Sequence, residues 1–269
     1  MTHIYAIANQ KGGVGKTSTS INLGAYLAAM GQRVLIVDID PQANATSSLG
    51  LSANQLPRSL YDVLSGEADL IDVITLTNRM RLDIAPSSYA LAALETEAVE
   101  AIRDPYQRSF LLQKALVPAL HRYDYILIDS PPSLGLITVN AMTAAEGVII
   151  PVQSEYLAME GLGQLLTTVE RVRKSLNPKL RIVGLLLTMH DGRNKLSRQV
   201  EEELRAYFED AVFETIIPRN VRLGEAPSYG EPINTYAPNS SGAKAYQQLA
   251  EELLARDDVI TPEPEGAIS

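Results

Sequence analysis

The sequence predicts a single α/β domain in which helices cover both faces of a mostly parallel, twisted β-sheet. The first observation is a strand, a glycine-rich loop, a helix and a second strand in succession near the N-terminus. Such a βαβ unit places its two strands parallel. The second observation is that most later strand candidates are near-continuous runs of Val, Ile and Leu, the pattern of strands buried on both faces. No repeat and no Gly/Ser-rich linker divides the chain, so one domain is expected.

The first βαβ unit covers residues 3–37. Residues 3–9 form a short β-rich run that ends at the glycine loop. A helix is predicted over residues 17–30, ending at Gly31, because apolar residues recur there at helical spacing. These residues are Ile21, Leu23, Leu27 and Met30. Residues 33–37 are predicted as the second strand, which ends at an acidic motif.

The alternation of strand and helix continues towards the C-terminus. Further strands are predicted at residues 82–85, 125–128, 147–152, 182–187 and 213–217. Further helices are predicted at residues 59–64, 107–121, 158–176, 195–208 and 241–256. The folded domain is therefore expected to cover residues 1–256. Residues 257–269 are acidic and contain proline, and we expect them to form a disordered tail.

The composition excludes several classes of protein. The 269 residues include no cysteine, which excludes disulfides, iron–sulfur clusters and thiolate chemistry. No apolar run approaches the roughly 20 residues of a membrane span, and the N-terminus lacks a signal-peptide pattern. The net charge of −9 argues against a chain coated in nucleic acid. These features predict a cytoplasmic protein.

Positive charge is concentrated in one segment. Residues 171–222 hold 11 of the 23 Lys and Arg residues but only 7 of the 32 Asp and Glu residues. The segment therefore carries about +4, against −13 for the remainder of the chain. Two interpretations are open at this point: ordinary solvated helix faces, or a local patch that binds a polyanion.

The most informative motif is the glycine loop between the first strand and the first helix. It reads Lys11-Gly12-Gly13-Val14-Gly15-Lys16-Thr17. Glycines let backbone N–H groups turn inward around a polyphosphate, whose outer phosphates Lys16 would reach, and the Thr17 hydroxyl would bind Mg²⁺. Gln10 stands where the ordinary phosphate-binding loop requires glycine. The chain therefore fits the deviant pattern K-G-G-x-G-K-[ST], in which Lys11 is an additional lysine.

Two acidic motifs follow predicted strands. They are Asp38-Ile39-Asp40-Pro41-Gln42 and Asp129-Ser130-Pro131-Pro132. Ligands of open α/β sheets collect at the carboxyl ends of the strands, so both motifs and the glycine loop are expected at one edge of the sheet. A carboxylate there can hold the water shell of Mg²⁺. Any one aspartate could instead be a helix cap or a turn residue, but their combination with the loop lysine favours a metal–nucleotide site.

On these motifs the chain resembles the ParA/Soj family of deviant Walker A ATPases, which partition chromosomes and plasmids. The resemblance runs from about residue 3 to residue 254 and implies a P-loop NTPase fold. It also rests on a block that contains Ile217-Pro218-Arg219-Asn220-Val221-Arg222 and Glu225-Ala226-Pro227-Ser228. Together with Pro151-Val152-Gln153, this block resembles the chromosomal, Soj-type branch of the family.

The resemblance implies that the chain binds and slowly hydrolyses ATP. Lys16 would bind the β- and γ-phosphates. Lys11 would reach across a two-fold interface to the ATP of a second copy, so that ATP forms part of a homodimer interface. Asp40 would orient or activate the attacking water. The implied catalytic residues are therefore Lys11, Lys16 and Asp40.

The resemblance also implies a magnesium site and a complete nucleotide site. Thr17 would ligate Mg²⁺, and Asp38 and Asp129 would hold the ion through its waters. Ser18 would lie near the α-phosphate and Pro218 near the adenine. The implied nucleotide-binding set is Lys11, Gly12, Gly13, Val14, Gly15, Lys16, Thr17, Ser18, Pro218 and Arg219.

A DNA-binding face and a protein partner are implied in the same way. The ATP-bound dimer would bind double-stranded DNA without sequence preference, and a ParB/Spo0J-like centromere-binding protein would stimulate hydrolysis. Arg193 and Arg222 match the arginines expected on the DNA-binding face, and Lys195, Arg198 and Arg219 are further candidates. Each could also be an ordinary surface residue. The implied location is cytoplasmic and nucleoid-associated.

Two other functions are considered. A MinD-like membrane ATPase shares the glycine loop but needs a C-terminal amphipathic helix with a basic face. The acidic, proline-broken C-terminus makes membrane attachment unexpected. A ParA-like ATPase that positions a protein cargo, or a nucleotide-gated scaffold, remains open. Lys16, Thr17 and Asp40 favour hydrolysis without excluding a scaffold.

Overall fold

The computed structural model describes residues 2–155 and 158–260. Seven strands form one sheet in the order β3-β4-β2-β5-β1-β6-β7. The strands are β1 His3–Ile7, β2 Val34–Asp38, β3 Thr75–Leu76, β4 Leu82–Ala85, β5 Tyr125–Asp129, β6 Gly147–Gln153 and β7 Arg181–Thr188. Every neighbouring pair is parallel except the antiparallel β3–β4 pair at one edge. The predicted, mostly parallel sheet is therefore confirmed.

Helices connect the strands. In the described residues they are α1 Lys16–Ala29, α2 Asn44–Ser48, α3 Leu60–Leu64, α4 Leu70–Val73, α5 Leu94–Ala101, α6 Pro105–Arg108, α7 Leu111–Leu116, α8 Leu136–Ala144, α9 Ala158–Ser175, α10 Lys195–Phe208, α11 Val221–Glu225, α12 Ile233–Tyr236 and α13 Ser241–Ile260. None of them is both long enough and apolar enough to cross a bilayer.

Alternate side chains of each strand enter two separate apolar cores. Tyr5 and Ile7 of β1 belong to the core beneath α1 and α13. Ala6 belongs to the other core, which α7, α8, α9 and α10 cover with Leu112, Met142, Leu165 and Val200. Both faces of the sheet are therefore covered by helices, as predicted.

The predicted strand at residues 213–217 is wrong. The isolated bridges to β7, Leu185 with Val212 and His190 with Pro218, lie on either side of this segment. Within it, the Phe213 and Ile217 N–H groups donate to the Leu185 and Leu187 carbonyls of β7, each at 2.9 Å. The N–H groups of residues 214 and 215, between these contacts, donate instead to the carboxylate of Glu252 on α13, each at 2.9 Å, so a continuous strand pairing does not form.

The predicted helix at residues 107–121 is broken into α6, α7 and a 3₁₀ turn at Val117–Ala119. The amide of Asn140 on α8 causes the first break. It donates to the Arg108 carbonyl at 2.9 Å and accepts from the Leu112 N–H at 3.1 Å. These two groups would bond each other in a continuous α-helix. Pro118, which has no N–H, lies in the 3₁₀ turn.

The last helix is longer than predicted. α13 continues past Arg256 to Ile260, so residues 257–260 are helical and do not belong to a tail. The Asp257 carboxylate is buried and accepts hydrogen bonds from the hydroxyls of Tyr5 and Tyr125. The remainder of the predicted tail, residues 261–269, lies outside the described residues.

Candidate nucleotide site and the charged face beside it

The glycine loop joins β1 to α1 at the carboxyl edge of the sheet. Gly13 and Gly15 have φ angles of +73° and +89°, in the left-handed region that glycine adopts without steric cost. Gly15 caps α1, and within residues 2–155 and 158–260 no side-chain cap accepts a hydrogen bond from the first turn of that helix. The free N–H groups of a helix N-terminus attract anions. The loop and helix together form a cradle suited to phosphate.

Side-chain hydrogen bonds connect both ends of the loop to neighbouring strands. The Asn9 amide accepts from the Lys11 N–H at 3.0 Å and donates to the Pro151 carbonyl of β6 at 2.8 Å. The Thr188 hydroxyl, at the end of β7, donates to the Val14 carbonyl at 2.8 Å. The loop conformation is thus held by contacts made with the protein alone.

Lys16 lies inside the loop. Its side chain is buried, and its ammonium group donates to the Lys11 carbonyl at 3.0 Å. Burial lowers the pKa of Lys16, while the charges of Asp129 and Asp40 oppose that shift. A buried ammonium group is favourable only beside negative charge. The position of Lys16 therefore suits an anion in the cradle.

The Thr17 and Ser20 hydroxyls on α1 both donate to the Asp129 carboxylate, each at 2.8 Å. Because the Thr17 proton points at the carboxylate, the oxygen lone pairs remain available to a cation. Burial raises the pKa of Asp129, and the two hydroxyl hydrogen bonds oppose the rise. Asp129 is the last residue of β5 and does not begin a loop.

Asp38 ends β2 and is fully enclosed by donors. Its carboxylate accepts from the Thr46 N–H at 2.8 Å, the Thr46 hydroxyl at 2.7 Å and the Asp40 N–H at 3.2 Å. Burial and the neighbouring Asp129 carboxylate raise the pKa of Asp38, against these hydrogen bonds. Ser87 extends the network, because its N–H donates to the Thr46 hydroxyl oxygen at 3.0 Å and its own hydroxyl donates to the Asp40 carbonyl at 2.7 Å.

Asp40 faces a cavity of about 370 Å³ at the glycine loop. One carboxylate oxygen of Asp40 accepts from the Gln42 N–H at 2.9 Å. The cavity wall also contains Lys16, Thr17, Ser18, Asn44, Pro132 and Glu231. Asp40 thus belongs to the wall of the cavity in front of the loop. Asp38 and Asp129 lie behind the loop, where they accept hydrogen bonds from the Asp40 N–H and the Thr17 hydroxyl.

A second cavity, of about 460 Å³, adjoins the first and shares Gly15, Ser18 and Met189 with it. Its wall contains the sequence-predicted Pro218 and Arg219, together with Thr188, Asn220, Glu225 and Tyr246. We call this space the base-side cavity. The structure therefore places the residues expected near adenine next to those expected near phosphate.

Lys11 points away from both cavities. Its ammonium group lies 3.4 Å from Glu155, and its side chain is 36% exposed. Glu155 also accepts from the Gln153 amide at 2.6 Å, and its carboxylate lies 3.9 Å from the Arg219 guanidinium group. Lys11 is thus the loop lysine that faces outward, while Lys16 faces inward.

The candidate arginines are exposed, and each lies beside a carboxylate. The Arg193 side chain is 93% exposed and pairs with Asp191 at 3.1 Å. Arg222 donates to Glu225 at 2.7 Å. The bridge between His190 and Pro218 sets the segments that carry these arginines side by side, with Lys195 and Arg198 exposed on the adjoining first turn of α10. We call the surface formed by Arg193, Lys195, Arg198, Arg219 and Arg222 the charged face.

Several residues that shape the site were not singled out from the sequence. They are Asn9, Ser20, Thr46, Ser87, Glu155 and Thr188. Thr188 directly follows one predicted strand, and Glu155 lies three residues after another. Because ligands of open α/β sheets collect at the carboxyl ends of the strands, both positions could have been identified from the sequence. Thr46 and Ser87 carry no local signal, because their roles depend on contacts between separate loops.

The comparisons with known proteins come from sequence and from structure. Residues 2–182 match the family described as AAA domain. The sporulation initiation inhibitor protein Soj of Bacillus subtilis is 54% identical over 255 residues, covering 95% of this chain and 99% of that protein. The chromosome-partitioning ATPase Soj of Thermus thermophilus is 50% identical over 256 residues, covering 93% of this chain and 95% of that protein.

A solved structure agrees with the fold. A Mycobacterium smegmatis protein described as cobyrinic acid a,c-diamide synthase, with bound ATP analogue and magnesium, superposes with a TM-score of 0.86 at 36% identity and covers 98% of both chains. The Thermus thermophilus relative extends over nearly the whole chain and carries the partitioning description. The chain therefore belongs to the ParA/Soj family of chromosome-partitioning ATPases.

Proposed function

We propose that this chain is an ATP-dependent DNA-partitioning protein that dimerises on ATP, binds DNA without sequence preference as a dimer, and releases it after hydrolysis. The observation that carries the proposal is the opposed placement of two loop lysines. Lys16 is buried inside the glycine loop, and Lys11 is directed outward at the same loop. One lysine is available to the chain's own nucleotide and the other to that of a second copy.

The residues present fit ATP and Mg²⁺. The buried Lys16 has only a backbone carbonyl as its hydrogen-bond acceptor among the described residues, and the free N–H groups of α1 face the same cradle. Thr17 offers lone pairs to a cation while Asp129 fixes its hydroxyl. Asp38 and Asp129 would hold the water shell of the ion. When bound, the magnesium ion would supply charge neutralisation at the phosphates.

Hydrolysis requires a positioned water and stabilisation of charge. Asp40 faces the cavity with its carboxylate held by the Gln42 N–H, so it is placed to orient a water at the outer phosphate. Lys16, and Lys11 from a second copy, would stabilise the negative charge that develops there. The proposed catalytic residues are therefore Lys11, Lys16 and Asp40.

The dimer and the hydrolytic site depend on each other in this proposal. Lys11 lies at the protein surface beside an open concave region that also contains Gln10, Pro132 and Ser133. A facing copy would cover this region and bring its own Lys11 towards the nucleotide. Adding a second lysine to each phosphate chain offsets the negative charge that two facing subunits would bury.

DNA binding is proposed for the charged face. Arg193 and Arg222 would contact phosphates, with Lys195, Arg198 and Arg219 as further contacts. These residues come from a local basic segment of a chain whose net charge is −9, which suits binding through phosphates. Family membership and this face support a nucleoid-associated protein that a ParB/Spo0J-like partner would stimulate.

The first experiment is duplex-DNA binding by the pure protein without nucleotide, with ADP and with ATP–Mg²⁺, at two salt concentrations. We expect binding of random-sequence duplex only with ATP–Mg²⁺, weakening steeply as salt rises. Absence of binding in all three states would overturn the DNA-binding proposal. It would favour instead an ATPase that positions a protein cargo or acts as a nucleotide-gated scaffold. ATP turnover with and without the partner would then separate these two alternatives.

A further inference from the structure

Glu225 occupies a junction between the charged face and the nucleotide site. Its carboxylate accepts from the Arg222 guanidinium group at 2.7 Å and from the Tyr236 hydroxyl at 3.0 Å. The same residue forms part of the wall of the base-side cavity. One residue therefore neutralises a candidate DNA-binding arginine and also forms part of the wall of the space proposed for the nucleoside.

The segment that carries Glu225 borders both cavities. Leu223, Gly224 and Glu225 contribute to the base-side cavity, whereas Ala226 and Pro227 contribute to the cavity at the glycine loop. Arg222 lies in the first turn of the same short helix, α11. The Asn220 side chain caps this helix by accepting a hydrogen bond from the Arg222 N–H at 2.9 Å. A ligand in either cavity thus contacts residues within a few positions of Arg222.

The pairing opposes DNA binding in two ways. Arg222 cannot donate the same N–H groups to Glu225 and to a phosphate, and the Glu225 carboxylate repels phosphate. Hydrogen bonds from Arg222 and Tyr236 lower the pKa of Glu225, so its negative charge is retained. Arg193 differs, because its partner Asp191 lies on neither cavity wall.

Resting on the proposed DNA-binding role of Arg222, we propose that Glu225 is a positioning residue that holds Arg222 back in the nucleotide-free chain and releases it when a nucleotide fills the base-side cavity. The amino and hydroxyl groups of a nucleoside are hydrogen-bond donors and compete with Arg222 for the carboxylate. DNA phosphates then take the freed guanidinium group. Glu225 thereby couples nucleotide occupancy to DNA affinity.

The test compares Glu225→Gln with Glu202→Gln. The first variant keeps the side-chain shape and removes the charge that holds Arg222. The second makes the same charge change at an exposed residue of α10 for which no ion pair is described. Binding of a fluorescent random-sequence duplex is titrated by anisotropy at low salt, without nucleotide, with ADP and with ATP–Mg²⁺. Glu225→Asp, which retains a carboxylate, serves as the rescue variant.

At low salt, where weak nucleotide-free binding of DNA becomes measurable, we expect Glu225→Gln to raise nucleotide-free DNA affinity by up to about fivefold, the range of an exposed ion pair. DNA affinity in the presence of ATP–Mg²⁺ should stay nearly unchanged. The gain in DNA affinity that ATP–Mg²⁺ produces then decreases by the same factor. Because coupling is reciprocal, DNA should raise ATP affinity less in Glu225→Gln than in the wild type. Glu225→Asp should restore most of the coupling.

The outcomes separate this inference from the proposed function. Equal behaviour of Glu225→Gln and Glu202→Gln in all three states, while Arg222→Ala loses DNA binding, would overturn the inference alone. An equal gain in all three states would also overturn it, because the pair would then not respond to nucleotide. Wild-type protein that fails to bind DNA with ATP–Mg²⁺, or unchanged binding by Arg222→Ala, would overturn the DNA-binding role together with the inference.

Discussion

Asp38 and Asp129 occupy directly paired positions at the ends of the neighbouring parallel strands β2 and β5. Both carboxyl groups are buried, and burial raises the pKa of each. Hydroxyl and backbone donors from Thr46, Thr17 and Ser20 hold them in place. The pair therefore places two carboxyl groups directly behind the glycine loop, where a cation and the Lys16 ammonium group would favour their charged forms.

Replacing Lys16 with Ala should reduce ATP affinity at least about 100-fold. The change removes charge-assisted contacts between the Lys16 ammonium group and phosphate, which are strong because the site is shielded from water. The melting temperature should not fall, since burial already disfavours the charged form of Lys16. Isothermal titration with ATP–Mg²⁺ measures the first effect and calorimetric melting the second. Lys179→Ala, at an exposed turn, is the matched control. Retained ATP affinity would remove Lys16 from the site.

Replacing Asp40 with Ala should leave ATP binding and ATP-dependent dimerisation intact while turnover falls by about 100-fold or more, the range for loss of a positioned acid–base group. Phosphate release measures turnover, and light scattering after gel filtration measures dimerisation. Asp72→Ala, an exposed acid on α4, controls for the charge change. Normal phosphate release from the Asp40 variant would show that another group positions the water.

Replacing Arg222 with Glu reverses the charge and should abolish detectable DNA binding by the ATP-bound protein. ATP turnover measured in the absence of DNA should not fall. The guanidinium group is exposed and contacts Glu225 rather than the glycine loop. Anisotropy titrations at several salt concentrations provide the measurement. Lys174→Glu, on α9 in the same basic segment but outside the charged face, is the control. Unchanged affinity at low salt would place the DNA contacts elsewhere.

Replacing Thr46 with Val should destabilise the chain by about 1–3 kcal/mol, because the buried Asp38 carboxylate loses one of its donors and the Ser87 N–H loses its acceptor. ATP turnover should also fall, since Asp40 is held by the same network. Urea unfolding and phosphate release are the measurements. Thr167→Val removes an exposed hydroxyl on α9 that bonds only its own helix, and it should change neither quantity.

Stability should depend on pH through His3. The hydrogen bond that the His3 imidazole donates to the Glu146 carboxylate at 2.8 Å raises the pKa of His3, while burial opposes the rise and Asp257 adds to it. A group whose pKa is raised in the folded state contributes full stability below its ordinary pKa, 6.5 for histidine. That contribution is lost as pH rises through the raised pKa.

The difference in unfolding free energy between wild type and His3→Gln should therefore be greatest below pH 6.5 and should vanish at higher pH. Urea unfolding across the pH range measures it. His121→Gln changes an exposed histidine and controls for the loss of an imidazole. A difference that grows with pH would contradict the assigned interaction.

Local sequence patterns predicted the elements whose ends and faces are determined locally. Leu82–Ala85 and Lys195–Phe208 have the predicted bounds, because a short apolar run defines the first and an Asn194 cap begins the second. The segment at residues 213–217 was also predicted as a strand, but Glu252, a residue almost 40 positions away, accepts the N–H groups of residues 214 and 215 and interrupts the pairing with β7. Asn140 interrupts the helix at residues 107–121 in the same way.

The candidate site shows the same difference between residues that a local pattern reveals and residues that only distant contacts bring together. The glycine loop and the two aspartate motifs were visible because each is contiguous and follows a strand. The Thr46–Ser87 network and the contact of Glu225 with Tyr236 join residues from separate loops and helices. No spacing within the sequence encodes such contacts, since they depend on how the loops at the sheet edge fold over one another.

The burial of Asp257 determines where the protein tolerates modification at its C-terminus. Its carboxylate is the acceptor for the hydroxyls of Tyr5 and Tyr125, which lie on the central strands β1 and β5. Shortening the chain before this residue would leave both hydroxyls without that acceptor, a loss of about 1–3 kcal/mol for each buried group left unsatisfied. A fluorescent protein used to follow the molecule in living cells should therefore be joined after residue 260, so that the last turns of α13 stay intact.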